Sequence, residues 1–269
     1  MEKEKFQPNP IQNLLMKVMS EMRNNPGLFQ EMKQAKRSEK FYSEPLEQKD
    51  ETKRSKDTVG LTHAINTHNI TKELTDIDLK NNKLDETQSF RLRITALIHD
   101  MGELSPKGDI DYNEKSSTDT KEEIEYFEKN IQNLFPNLLK TEIENILEIY
   151  KENIHYKDKG ENTQEAKYFN MVEFVGALMH ALEEFDEKRD NMKWRRFCDD
   201  YLYNIAEKIE NIINNYPAAK QYLSNHKNKL QKMINWAEKE IKENPKHKEM
   251  EKLTDEKIIT WKNILKKIS

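Results

Sequence analysis

His99 and Asp100 stand side by side at the end of the apolar run Ala96-Leu97-Ile98, with Gly102 two residues further on. A histidine and a carboxylate in apolar surroundings need a partner, because an unpaired charge there is expensive, and a divalent cation satisfies both. Two ligands do not close a site, so other segments must contribute. His63 upstream and Glu173 downstream are suitably placed candidates. Two imidazoles and two carboxylates, without sulfur and with positions open to water, suit Mn, Fe, Co, Ni, Zn or Mg rather than a closed structural zinc site. His68 would replace His63 in a shifted register, and a second cation would need His155 or His180 to join. One divalent ion is the expected content.

Helices must position these groups. Ile11, Leu14, Leu15, Val18, Met19 and Met22 recur at helical spacing and predict an amphipathic helix ending before Asn25-Pro26-Gly27. Residues 34–57 are rich in Lys, Glu, Ser and Asp and predict a solvated linker. A helix over about 59–74 is expected to bury Leu61, Ile65, Ile70 and Leu74, leaving His68 on the surface unless the register shifts. In the next helix, about 87–100, Phe90, Leu92, Ile94, Leu97 and Ile98 spread around the cylinder, the pattern of a helix inside a bundle. A loop over about 101–118 follows it, and loops on rigid scaffolds carry function. Two helices read as structural come next, the second bearing Ile143, Ile146, Leu147 and Tyr150. Met171, Val172, Val175, Leu178, Met179, Leu182 and Phe185 form the packing face of a long helix, with Glu173, Gly176, Ala177 and His180 on a neighbouring stripe. Three further helices complete the chain, and there is no internal repeat.

Composition agrees with an all-α fold. Of 269 residues, 35% are hydrophobic and 35% charged, so the apolar groups must be concentrated on narrow helix faces. Six Gly and eight Pro leave few turns for an array of short strands. A formal charge of −4 gives no global field favouring nucleic acid or an anionic membrane. The Lys-rich carboxyl-terminal region is interleaved with acids and reads as a solvated face. Cys198 is the only cysteine, which excludes an internal disulfide framework and fits a reducing, cytoplasmic setting. No apolar run approaches the roughly 20 residues needed to cross a bilayer.

Leu61-Thr62-His63, then Ala96 to Glu103 (ALIHDMGE), then Ala166 to Glu173 (AKYFNMVE) stand in the order of the HD superfamily: a first His, a His-Asp pair and a later acidic residue. The first piece resembles deoxynucleoside triphosphate triphosphohydrolases. The other two resemble 5′-deoxynucleotidases, with Glu173 where that family has Asp. The similarity spans about 58–185; the first helix and the chain beyond Phe185 lie outside it. The resemblance implies an HD-like helical bundle over 58–189, preceded by a helix and linker (1–57) and followed by a helical extension (190–269). It also implies that His63, His99, Asp100 and Glu173 are the metal ligands, that Glu103 transfers a proton, with Asp100 beside it in the catalytic centre, and that Asp109 holds the nucleotide sugar.

The expected chemistry is phosphomonoester hydrolysis of (deoxy)nucleoside 5′-monophosphates: a divalent ion polarises a phosphoryl oxygen and activates water while Glu103 moves a proton. Arg91, Arg93 or Lys107 would neutralise phosphate charge. Two alternatives stay open: hydrolysis of a deoxynucleoside triphosphate or signalling nucleotide, and a diverged, non-catalytic helical scaffold for a protein partner. The partner expected is a small nucleotide, with neither membrane nor nucleic acid, and the unmatched helices could support a homodimer.

Overall fold

The computed structural model describes residues 9–34, 60–107, 116–154, 163–188, 192–243 and 255–269. Eleven α-helices and no strand occur among the described residues, so the chain is an all-α helical protein. They form two compact units, residues 1–72 with 81–169 and residues 73–80 with 170–269.

In the first unit, α1 (Pro10–Asn24) starts where the Asn9 side chain accepts from Ile11 N–H and Pro10 supplies a preset φ. It buries Leu14, Leu15, Val18 and Met22, as its spacing requires. Asn25 ends it and caps α2 (Pro26–Gln34), its Oδ1 accepting from Gly27 and Leu28 N–H at 3.0 and 3.1 Å. Its Nδ2 donates to Leu134 O at 2.9 Å, which ties this corner to a distant helix.

Helix α3 (Gly60–Lys80) outlasts its expected end at residue 74 and is followed by Asn82 in the left-handed region, φ 51°. Its buried side keeps Leu74 but not Ile65, and it is more polar than expected. Ile65 is 45% exposed, while His63, Ala64, Thr67, His68, Thr71, Leu74, Thr75 and Asp78 are buried. Hydroxyls make this tolerable, because a buried threonine can bond back along its own helix, as Thr71 Oγ1 does to Thr67 O at 2.7 Å. The helix therefore turns its histidines and threonines inward, and His68 is not a surface residue.

Helix α4 (Glu86–Ile98) opens with a capping box between Asp85 and Gln88. Leu92 and every residue from Ile94 to Ile98 are buried, as expected of a helix inside the bundle. Helices α5 (Ser117–Leu134) and α6 (Lys140–Asn153) pack on each other; α4 packs on α1 and α6. Leu15, Val18, Ile94, Ile98, Phe127, Ile146 and Tyr150 belong to one apolar cluster. Helix α7 (Gln164–Lys188) runs on without interruption into the second unit.

After α7 the described residues of the second unit form four helices where the sequence suggested three: α8 (Met192–Asn215), α9 (Pro217–Asn225), α10 (Lys227–Glu243) and α11 (Asp255–Ile268). Helix α9 is only 9 residues long, too short for a periodic signal, yet it buries Ala218, Ala219, Tyr222 and Leu223 behind Pro217 at its first position. Trp261 of α11 is fully buried, and α11 packs on α8, α9 and α10. Lys262 and Lys267 pair with Glu238 and Glu210, both at 2.9 Å, so that lysine-rich helix is neutralised along its solvated face. No helix among the described residues is long and apolar enough to cross a membrane.

Candidate metal centre

Helix α4 ends at Ile98, and His99 follows in the turn with its ring held by its own helix: Nδ1 lies 2.9 Å from Ala96 O. A carbonyl only accepts, so Nδ1 carries a proton, and in the neutral ring this leaves a lone pair at Nε2. That second-nitrogen bond is the arrangement that orients metal-ligating histidines. Asp100 sits at φ −93°, ψ 8°, the sparsely populated bridge region that many active-site residues occupy.

Three donors converge. His63 Nε2 and His99 Nε2 are 3.0 Å apart, His99 Nε2 and Asp100 Oδ1 3.2 Å, and His63 Nε2 and Asp100 Oδ2 3.6 Å. Ligands about 2.1 Å from a shared cation stand about 3.0 Å apart at right angles and about 3.4 Å apart at the tetrahedral angle. The observed separations bracket these values, so the residues fit a divalent ion. His63 is 9% and His99 7% exposed, and the centre is shielded from bulk water. Around it, Thr67 Oγ1 lies 3.5 Å from His63 Nε2, and the ring of Phe169 meets that of His99 nearly edge-on with centroids 5.4 Å apart. Glu173 is half-buried on α7, four residues after Phe169.

The expected loop after His99-Asp100 begins with a 3-10 turn over Met101–Leu104, which carries Glu103. Glu103 N–H donates to Asp100 O at 3.0 Å. The turn docks through Gly102. A Cβ there would stand 2.5 Å from Tyr150 Oη, 2.9 Å from Glu123 Cβ and 3.0 Å from Glu123 O, which no side chain could occupy. Gly102 N–H donates to the Tyr150 hydroxyl, and burial pushes that phenol well above its ordinary pKa, with Glu123, Glu103 and Asp100 adding repulsion. The hydroxyl therefore stays protonated. Tyr150 and Glu123 were legible in the sequence only as helix residues, since their role depends on the close approach that Gly102 permits.

Arg91 is engaged by two carboxylates: its Nε reaches Glu165 Oε2 at 2.9 Å and Oε1 at 3.2 Å, and its Nη2 reaches Glu152 at 2.5 Å. Burial alone would lower its pKa, but Glu165 and Glu152 outweigh that and raise it. Lys107, half exposed, bridges Asp119 and Glu122 at 3.0 and 2.5 Å. Arg93 lies over the Phe90 ring, 5.7 Å from its centroid. Asp109 and His155 fall outside the described residues, while His180 is buried on α7.

Searches of the chain against protein-family models, curated proteins and solved structures find no match.

Proposed function

We propose that the protein is a metal-dependent phosphohydrolase of the HD type acting on nucleotides, with (deoxy)nucleoside 5′-monophosphates as the preferred class. The observation that carries this reading is the convergence of His63, His99 and Asp100 at ligand separations. Glu173 supplies the second carboxylate of the proposed ligand set. When bound, a divalent cation there would provide Lewis-acid polarisation of a phosphoryl oxygen and a lowered pKa for water.

The chain's own residues supply the rest. His99 is oriented for ligation by its bond to Ala96 O. Glu103, three residues after Asp100 on a turn fixed by Gly102, is the proton-transfer group. Lys107 is half exposed and held only by surface carboxylates, so it is free to turn toward a phosphate at little cost.

Purified protein with Mn²⁺ or Co²⁺ is expected to release inorganic phosphate from a deoxynucleoside monophosphate, and EDTA or His99→Ala is expected to abolish that release. Triphosphate or pyrophosphate as the main product would redirect the assignment to triphosphate substrates. No product from mono-, di-, tri- or cyclic nucleotides would end it.

A further inference from the structure

Two stripes of residues spaced by four face each other in the first unit. On α4 and its C-cap they are Arg91, Thr95 and His99; on α7 they are Glu165 and Phe169. Arg91 grips Glu165 with two contacts, and His99 meets Phe169 one or two turns further along both helices. Asn153 at the end of α6 fills the space between. It is 2% exposed, and its Nδ2 donates to Thr95 Oγ1 at 2.9 Å and to Glu165 Oε2 at 3.2 Å. Thr95 Oγ1 in turn donates to Arg91 O at 2.9 Å.

We propose that Arg91, Glu165 and Asn153 form a register lock: positioning residues that fix the start of α7 lengthwise against α4 and so set how Phe169 meets the ring of His99, a ligand in the metal-binding reading. The proposal rests on the metal-binding reading above and adds to it a role for residues that touch neither metal nor substrate. Apolar side chains alone would let two helices slide by part of a turn, whereas a planar guanidinium whose Nε donates to Glu165 while its Nη2 donates to Glu152 holds both carboxylates in fixed directions and tolerates one register. Arg91 is also poorly placed to take a substrate phosphate, because an anion would have to displace both Glu165 and Glu152 from a side chain only 18% exposed.

Calorimetric titration with Co²⁺ separates the possibilities without relying on activity. The Arg91→Met/Glu165→Met double variant leaves Glu152 without Arg91, but that carboxylate is 39% exposed and water can solvate it, and apolar replacement of a buried pair is often neutral for stability. Its melting temperature should stay within a few degrees of wild type while Co²⁺ affinity falls about 10- to 100-fold, the usual effect of losing a group that orients ligands. The exposed pair variant Lys267→Met/Glu210→Met should bind Co²⁺ as wild type does. Arg91→Lys keeps the charge and loses the two separately directed N–H donors; it should fold and still show a several-fold loss. Wild-type affinity in a folded double variant, or in Arg91→Lys, would overturn the lock. Unchanged Co²⁺ affinity with a raised KM for nucleotide would overturn it in favour of substrate contact. A wild-type protein that binds no Co²⁺ would instead remove the metal reading, and the lock with it.

Discussion

The Nε2 atoms of His63 and His99 face each other at 3.0 Å although 36 residues separate them. The His99 Nδ1 proton is committed to Ala96 O, so in the neutral ring His99 Nε2 accepts and His63 donates to it. Binding a cation replaces that one shared proton with two nitrogen–metal bonds.

Removing either imidazole should therefore cost far more metal affinity than stability. His63→Ala and His99→Ala are each expected to lower Co²⁺ affinity about 100-fold or more, measured by calorimetry, while circular dichroism stays that of a folded helical protein.

Cation binding should also raise the melting temperature. At a free concentration about a hundred times Kd, a ligand specific to the folded state adds about 2.7 kcal/mol, which corresponds to an increase of about 5–10 °C. Differential scanning fluorimetry with Mn²⁺ or Co²⁺ against EDTA checks this, and Ca²⁺, which prefers more oxygen ligands, should do less.

Gly102→Ala should destabilise the protein by about 1–3 kcal/mol or more, because the new methyl meets Tyr150 Oη at 2.5 Å and Glu123 backbone at 3.0 Å. Adding Tyr150→Phe removes the nearest clashing atom and should recover part of that loss in urea unfolding. Tyr150→Phe alone should cost about 1–3 kcal/mol, since Gly102 N–H loses its buried acceptor.

His68 makes stability fall on acidification. Burial depresses its pKa below 6.5, with Arg93 and Lys72 acting in the same direction and a side-chain bond to Asn69 opposing them. The unfolded chain therefore takes up its proton first. The contribution is intact above pH 6.5 and is lost as pH falls from there toward the folded-state value. One proton gives a slope of at most about 1.4 kcal/mol per pH unit. His68→Gln should flatten the dependence of unfolding free energy across that window.

The helical class, the buried character of α4 and the packing face of α7 were legible because apolar spacing records them directly. The pairing of His99-Asp100 with His63 was legible from residue type. What was not legible follows from buried polarity. Helix α3 also hides threonines and histidines that a hydrophobicity pattern assigns to solvent; of the four apolar residues expected inside, Leu74 is buried, Leu61 packs partly buried on the core, Ile70 is half-buried and Ile65 is exposed. Arg91 reads as a phosphate ligand by charge alone, and nothing in the sequence indicates that Glu165 and Glu152 surround it. Helix α9 escaped because nine residues behind a proline resemble a turn.

Anomalous scattering from crystals grown with Mn²⁺ tests the central claim most directly. One peak is expected about 2.0–2.3 Å from His63 Nε2, His99 Nε2 and an Asp100 carboxylate oxygen. A fully occupied manganese elsewhere, with the two imidazoles still hydrogen-bonded to each other at 3.0 Å, would contradict it.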